Sequence, residues 1–164
     1  MVFQSKITVY AALVGCFALM GGIFYYGNLD TVEIEQVEIK LTNVELRDVD
    51  TINNQAKFDV TFLVKNPSDK TFTVPLIEYQ LYGDGILLGS GQYSTVDISM
   101  PGRAGFFPDV ELPLKNVFVL EKSKVNSEIY QKVIENRINS FSAEGNITTQ
   151  SSWMTIEKEF KTGF

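Results

Sequence analysis

The segment KFDVTFLVKNPSDKTFTVPLIEYQLYGDGILLGSGQ, residues 57–92, carries the clearest secondary-structure pattern of the chain. In its first nine residues, apolar and polar side chains alternate. The apolar set is Phe58, Val60, Phe62 and Val64. A period of two is typical of a strand in an antiparallel sheet that is buried on one face. The segment therefore predicts a β domain.

The rest of this segment predicts a corner and a hairpin. Pro67 restricts Asn66 to extended conformations and lacks a backbone donor, so the strand ends there and Asn66 belongs to a turn. Further along, two strand-like segments, 77–82 and 86–91, flank Gly83-Asp84-Gly85. Because glycine readily takes positive φ, this spacing predicts a β-hairpin.

Other parts of the chain show the same alternation. Residues 34–46 predict a long first strand with bulges, because their apolar phase slips after Ile34 and again after Leu41. Pro113 places its own strand at a sheet edge, since proline cannot donate to a neighbouring strand. The remaining predicted strands are 96–100, 110–114, 141–149 and 153–160.

Residues 123–138 show helical spacing instead, with apolar side chains every three to four positions and Ser123 as the expected N-cap. We therefore predict one late α-helix in a mainly β domain. About seven strands and one helix indicate a fibronectin-like or Ig-like antiparallel β-sandwich, preceded by a single transmembrane helix.

The transmembrane helix is predicted from the run ITVYAALVGCFALMGGIFYY, residues 7–26 of 164, which carries no charge. At 1.5 Å per residue it spans roughly 30 Å, the thickness of a hydrocarbon core. Lys6 precedes the run and all 20 acidic residues follow it, which favours an inside N-terminus. We expect a short cytoplasmic segment at 1–6, a transmembrane helix at 7–27 and an extracytoplasmic domain at 28–164 of a single-pass protein of the cytoplasmic membrane.

Two other interpretations of this run stay open. A cleaved secretory signal would need small residues before a polar junction, and the sequence around Gly27 supplies no such pattern. A lipoprotein signal is suggested by Leu13-Val14-Gly15-Cys16, with Cys16 as the acylated residue, but the following ten residues stay apolar. An uncleaved anchor with Cys16 as an apolar filler is the interpretation that we prefer.

Small residues recur along one face of this helix at spacings of four, three and four. They are Ala11, Gly15, Ala18 and Gly22. Such a stripe lets a second membrane helix approach closely, so we expect packing against other membrane protein subunits as well as the lipid bilayer. The alternative is that single-span anchors are simply rich in glycine and alanine.

Composition excludes several classes of function. The chain has no histidine and one cysteine, so it can form no Ser/His/Asp triad, histidine zinc site, Cys/His pair or internal disulfide. A net charge of −6 argues against a nucleic-acid partner, which needs a basic face. We expect no catalytic residue, no cofactor and no metal, and therefore no enzyme.

Three short features remain as candidate sites. Residues 48–54 offer alternate oxygen ligands for calcium, but they lack the glycine and the spacing of an EF-type loop and are equally a solvated loop. Asn146-Ile147-Thr148 is a sequon for N-glycosylation. Phe106 and Phe107 follow a Gly-rich loop and could expose an apolar docking surface.

Acidic residues dominate the start of the outer domain. Seven of them lie between Asp30 and Asp50, against two basic residues, Lys40 and Arg47. This excess repels anionic headgroups, so we expect the domain to stand off the membrane.

These elements together resemble the LEA14-like or WHy (water stress and hypersensitive response) family. The similar features are the strand that ends at Asn66-Pro67, the proline-containing strand after it and the hairpin that ends at Gly89-Ser90-Gly91. The later segments VELPLKN and EGNITTQSSWMTIEKEFKTGF also look similar, so that the resemblance covers roughly 32–164. It implies a fibronectin-like sandwich with one helix, no catalytic residues and a stress-associated role.

Two functions follow as expectations. The first is a non-enzymatic, membrane-anchored LEA14-like module that binds or stabilises other macromolecules at the outer face of the cytoplasmic membrane. The alternative is an accessory subunit of a multi-subunit membrane enzyme, which packs through its helix and caps the outer face. The anchor departs from the simplest family pattern and argues against desiccation protection in the cytosol.

Overall fold

A computed structural model describes residues 6–34, 36–96, 102–152 and 154–164. In these ranges the helices are α1 (Lys6–Ile34), a 3₁₀ turn (Lys122–Lys124) and α2 (Ser127–Ile134). The strands are β1 (Glu38–Asp50), β2 (Gln55–Lys65), β3 (Phe72–Gly83), β4 (Ile86–Ser94), β5 (Gly105–Phe106), β6 (Glu111–Glu121), β7 (Phe141–Gln150) and β8 (Thr155–Gly163).

The strands form two antiparallel sheets that face each other. Sheet A has the order β1-β2-β6, and sheet B has the order β4-β3-β7-β8, with β5 paired to the first residues of β3. The predicted mainly β antiparallel sandwich with a late helix is confirmed. As Pro113 indicates, β6 lies at the edge of sheet A.

The core is built from the alternate positions of these strands. Phe58, Val60, Phe62 and Val64 are all 3% exposed or less, as the period of two predicts. Phe62 packs edge-on against Tyr79 of sheet B at 4.9 Å between ring centroids, and against Phe160 at 5.8 Å. Apolar burial between the sheets is the main force that holds them together.

The predicted hairpin joins β3 and β4 through a two-residue turn. Gly83 pairs with Ile86, and the turn residues Asp84 and Gly85 have φ of 48° and 78°. Two consecutive positive φ values are the mark of a type I′ turn, whose twist matches that of the strands.

The first strand begins and ends four residues later than expected, at Glu38 and Asp50 instead of 34 and 46. Helix α1 continues to Ile34, so the first phase slip in the sequence marks the end of a helix and not a bulge. The second slip is a true irregularity, since the register of β1 on β2 shifts between Leu41 and Asn43. A further shift lies between Leu46 and Asp48.

The late helix is shorter than the predicted 123–138. Strand β6 stays paired with β2 as far as Glu121, which leaves only a 3₁₀ turn at the position of Ser123. Asn126 is the N-cap, and its side chain accepts from the amide of Glu128. The helix ends before Asn136, whose φ of 54° stops further helical bonding.

Two other differences concern strands. The structure adds β5, whose two residues are too few to show a period. The predicted strand 96–100 falls almost wholly outside the described residues, and Val96 itself lies in a turn. Trp153 is likewise outside them, and β8 begins at Thr155.

One helix among the described residues is long and apolar enough to cross a membrane, over Thr8–Gly27. None of this stretch is buried against the rest of the chain. A signal sequence meets the same criterion. The finding is thus consistent with a single-pass anchor, whose insertion and orientation stay predictions.

Candidate functional site

A groove of about 880 Å³ lies on the outer face of sheet B and is called the outer groove below. Its polar side chains come from all four long strands. They are Glu78, Gln80, Ser90, Gln92, Glu144, Asn146, Glu159 and Lys161. On β3 these positions alternate with the buried Ile77, Tyr79 and Leu81, so the same period that builds the core also builds the groove.

Strand register sets the arrangement of the groove. Glu78 lies opposite Gln92 on one side and Asn146 on the other, and Asn146 lies opposite Glu159. Side chains paired in this way are about 5 Å apart at Cβ. In this row the Asn146 amide therefore lies between two carboxylates, Glu78 on one side and Glu159 on the other.

A second row runs parallel to it and contains an ion pair. The carboxylate of Glu144 accepts a hydrogen bond from the Tyr82 hydroxyl at 2.5 Å and lies 3.0 Å from the Lys161 ammonium. The bond from Tyr82, followed by that from Lys161, lowers the pKa of Glu144. The same bond to Glu144 raises the pKa of Tyr82.

These directions bear on chemistry. A general acid or base works best with a pKa near the operating pH, whereas Glu144 and Tyr82 are both shifted away from neutrality. Glu144 stays ionised and Tyr82 stays protonated. With three carboxylates against one ammonium, the outer groove favours binding of polar or cationic groups over proton transfer.

The described residues contain no group of three or more histidine, cysteine or acidic side chains that could hold a metal ion. In the candidate calcium segment, Asp50 is engaged by its own turn. Its carboxylate accepts from the backbone and side-chain amides of Asn53 at 2.9 and 2.6 Å and from the backbone amide of Ile52 at 3.0 Å, and these bonds lower its pKa. Segment 48–54 thus has the geometry of a self-capped solvated turn.

The sequon residue Asn146 lies in the middle of β7, which pairs with β3 on one side and β8 on the other. Its side chain is half-buried, and its amide donates to Glu157 Oε1 at 3.3 Å. A sequon in a strand paired on both sides is poorly placed for modification after folding. Glycosylation of Asn146 stays a prediction.

The predicted docking pair Phe106 and Phe107 is split by the fold. Phe106 is 1% exposed because β5 pairs with β3, and its ring stacks on Phe72 at 5.4 Å between centroids. The expectation that it is exposed is wrong. Phe107 is 61% exposed, so of this pair only Phe107 is accessible to a partner.

The small-residue face of α1 has no described neighbour. Ala11, Gly15 and Ala18 are exposed and Gly22 is half-exposed. A methyl group added at Gly15 or Gly22 would meet no described atom within 4 Å. The face is therefore open to a second helix, and such a partner stays a prediction. Cys16 is exposed on the same helix.

The outer groove was missed at the sequence level because it depends on the register of four strands. Its signal was present in each strand as the polar half of the alternation, in Glu78 and Gln80 on β3 and in Glu144 and Asn146 on β7. Which of these positions become neighbours can be read only from the pairing.

Comparison with known proteins gives fold relatives. No protein-family model matches the chain, and no curated protein matches it. Among solved structures, a protein of Arabidopsis thaliana studied in solution is 15% identical, with 77% of this chain and 80% of that chain covered and a TM-score of 0.52. At this identity the likeness supports the fold alone.

Two further structures are similar. A candidate late embryogenesis abundant (LEA) protein is 13% identical, with 96% of this chain and 86% of that chain covered and a TM-score of 0.43. A protein of Archaeoglobus fulgidus is 13% identical, with 79% and 94% covered and a TM-score of 0.44.

Proposed function

We propose that this chain is a non-enzymatic, membrane-anchored LEA14-like module of the WHy type. It acts at the outer face of the cytoplasmic membrane, where it binds or stabilises other macromolecules under stress. The observation that carries the proposal is the outer groove, a polar and predominantly acidic surface on a rigid sandwich that follows an apolar helix.

The chemistry of the groove supports binding. Its carboxylates lie on paired strands with fixed register, so that the backbone positions of the binding surface are set before a partner binds. The shifts at Glu144 and Tyr82 favour fixed charge over proton transfer. The resemblance of residues 60–92 to the WHy pattern supports the link with stress.

The proposal is tested with the full chain in phosphatidylcholine liposomes. A labile soluble enzyme is dried and rehydrated with these liposomes, and its recovered activity is compared with recovery on empty liposomes. We expect protection by the wild type and its loss in the double variant Glu78→Lys/Glu159→Lys, which reverses the charge of the groove. The matched control Glu45→Lys/Glu111→Lys makes the same charge change on sheet A and should still protect. Equal recovery with empty liposomes would refute a protective role.

The alternative is an accessory subunit of a membrane enzyme, and it is supported by the open small-residue face of α1. Membranes solubilised in mild detergent and resolved on native gels distinguish the two functions. A complex of fixed stoichiometry supports the subunit. A monomer whose level rises under osmotic stress supports the protective module.

A further inference from the structure

One end of the sandwich lies next to the anchor and is called the anchor end below. Strand β1 starts here at Glu38, which pairs with Lys65 at the end of β2. Lys158, near the start of β8, donates to the carbonyl of Val37 at 2.8 Å. Both sheets thus have strand termini at this end.

The turn that holds Phe107 belongs to the anchor end. The amide of Asn66, directly after β2, donates to the carbonyl of Val110 at 3.0 Å, and the amide of Asp109 donates to the carbonyl of Asn66 at 2.9 Å. The amide of Val110 also donates to the carbonyl of Phe107 at 3.1 Å, which closes a four-residue turn. Asp109, the third residue of this turn, has a φ of 59°. With Pro108 before it, this is the geometry of a type II turn.

This turn presents an aromatic ring to the outside. Phe107 is 61% exposed, while its neighbour Phe106 is anchored in the core. A second apolar side chain, Val96, is 57% exposed, and its carbonyl accepts from the Arg103 guanidinium at 3.0 Å. The residue before it, Thr95, donates its amide hydrogen to the carbonyl of Pro75, near the start of β3. Val96 therefore also lies at the anchor end.

The chain length keeps this end close to the bilayer. From Gly27 to Ile34 the helix rises about 10 Å, and the step from Ile34 to Glu38 spans at most about 14 Å. The headgroup layer itself is roughly 5–8 Å thick on each side. The anchor end therefore lies within about 24 Å of the hydrocarbon boundary, and it reaches the headgroups when the short link between Ile34 and Glu38 runs back toward the bilayer.

Charge neither attracts nor repels this end strongly. Among its described residues, four basic side chains are mixed with four acidic ones. The basic set is Lys65, Lys70, Arg103 and Lys158. The acidic set is Glu38, Asp69, Asp109 and Glu111. Three of the seven early acidic residues, Glu45, Asp48 and Asp50, lie toward the opposite end, paired with Asp59, Lys57 and Gln55. Contact with a zwitterionic surface would thus depend on apolar burial.

We propose that the anchor end docks on the outer surface of the bilayer, where Phe107 and Val96 enter the boundary between headgroups and acyl chains. Exposed apolar side chains, phenylalanine included, are buried at this boundary in surface-bound segments. The covalent link to the helix raises the effective concentration of a contact that would be weak for a free domain. The proposal rests on the membrane anchoring in the proposed function. It departs from the expectation of a domain that stands off the membrane, because one end would contact the lipid.

The test uses tryptophan fluorescence in the full chain. Trp153→Phe provides the background, and single tryptophans are then introduced as Phe107→Trp, as Ile52→Trp at the opposite end, or as Phe24→Trp in the helix. Each variant is reconstituted in phosphatidylcholine vesicles with or without lipid brominated near the headgroup. Far-UV circular dichroism confirms that each variant is folded.

We expect quenching of Phe107→Trp to exceed that of Ile52→Trp by at least about twofold and to approach that of Phe24→Trp, since quenching requires contact with the lipid layer. Equal quenching at Phe107 and Ile52, with strong quenching at Phe24, would overturn the docking proposal and leave the anchor intact. Absence of quenching at Phe24 would overturn the anchor and, with it, the docking.

A second measurement does not depend on replacing Trp153. In a Cys16→Ala background, nitroxide labels are placed by Phe107→Cys or Ile52→Cys. Docking predicts that the label at position 107 collides more with oxygen and less with a water-soluble nickel chelate than the label at 52. Equal collision rates at both positions would contradict it.

Discussion

The side-chain amide of Asn66 donates a hydrogen bond of 2.8 Å to the backbone carbonyl of Phe106, forty positions away. The same amide donates to the carbonyl of Lys70 at 2.7 Å, and its oxygen accepts from the amide and hydroxyl of Ser68. Asn66 is fully buried. One side chain thus fixes the corner after β2, holds β5 against β3 and supports the turn that carries Phe107.

Replacing Asn66 should therefore be costly. Asn66→Ala removes the donor to the Phe106 carbonyl and the acceptor of the Ser68 amide, both of them buried bonds, whereas the Lys70 carbonyl keeps a bond from the Ser68 hydroxyl at 3.3 Å. Each buried polar group left unpaired costs about 1–3 kcal/mol. We expect the free energy of unfolding to fall by about 3 kcal/mol in urea titrations of the full chain in detergent, followed by circular dichroism. Asn43→Ala, at an exposed position on β1, is the control and should change it by less than about 0.5 kcal/mol. Equal effects of both substitutions would contradict the role of Asn66.

Tyr79 should make stability depend on alkaline pH. Burial raises its pKa to about 12, against a smaller opposite effect of the bond from Asn116. Between pH 10 and 12 the folded state keeps the phenol proton while the unfolded state loses it. The contribution is present below pH 10 and is lost as the pH rises toward 12, by about 2 kcal/mol in all.

The measurement compares wild type and Tyr79→Phe by urea unfolding at several pH values from 8 to 12. The variant loses the 2.8 Å bond from Asn116, so it should be the less stable protein at pH 8. Because it cannot ionise, the difference in free energy should shrink or reverse near pH 12. Parallel curves over this range would show that the Tyr79 hydroxyl is not protected from ionisation.

Gly145 should tolerate no side chain. A Cβ at this position would overlap the backbone carbonyl of Glu78 and lie 2.8 Å from the Cα of Tyr79 on the paired strand. Because backbone atoms cannot move aside cheaply, we expect Gly145→Ala to lower the free energy of unfolding by about 3 kcal/mol. Gly105→Ala is the control, since its nearest contact would be an ordinary 3.8 Å. Wild-type stability of Gly145→Ala would show that β3 and β7 separate more easily than the structure implies.

The elements that could be predicted from the sequence are those with a local signal. Strand β2 alternates strictly because one face is core, and the β3–β4 hairpin follows from Gly83-Asp84-Gly85. The start of α2 could not be predicted, because strand β6 continues to Glu121, which pairs with Gln55 on β2. This long-range pairing leaves only a few residues between the strand and the helix, and no local pattern separates them.

The missed features depend on contacts between distant residues. Phe106 has the same local context as Phe107, and only its pairing with Phe72 buries it. The outer groove likewise needs the register of four strands. For the candidate sites, the sequence could therefore identify polar positions and apolar positions, but not which of them become neighbours.

The small-residue face of α1 gives the last prediction. If another membrane helix packs there, Gly15→Leu and Gly22→Leu should abolish the association, because close approach of two helix backbones requires small residues. Gly21→Leu is the matched control, since position 21 lies about 90° around the helix from the stripe. Each variant is expressed as the full chain, solubilised in mild detergent and resolved on native gels. We expect the wild type and Gly21→Leu to migrate as a complex and the two stripe variants as monomers. Migration of all four proteins as monomers, or of all four as the same complex, would exclude this face as the interface.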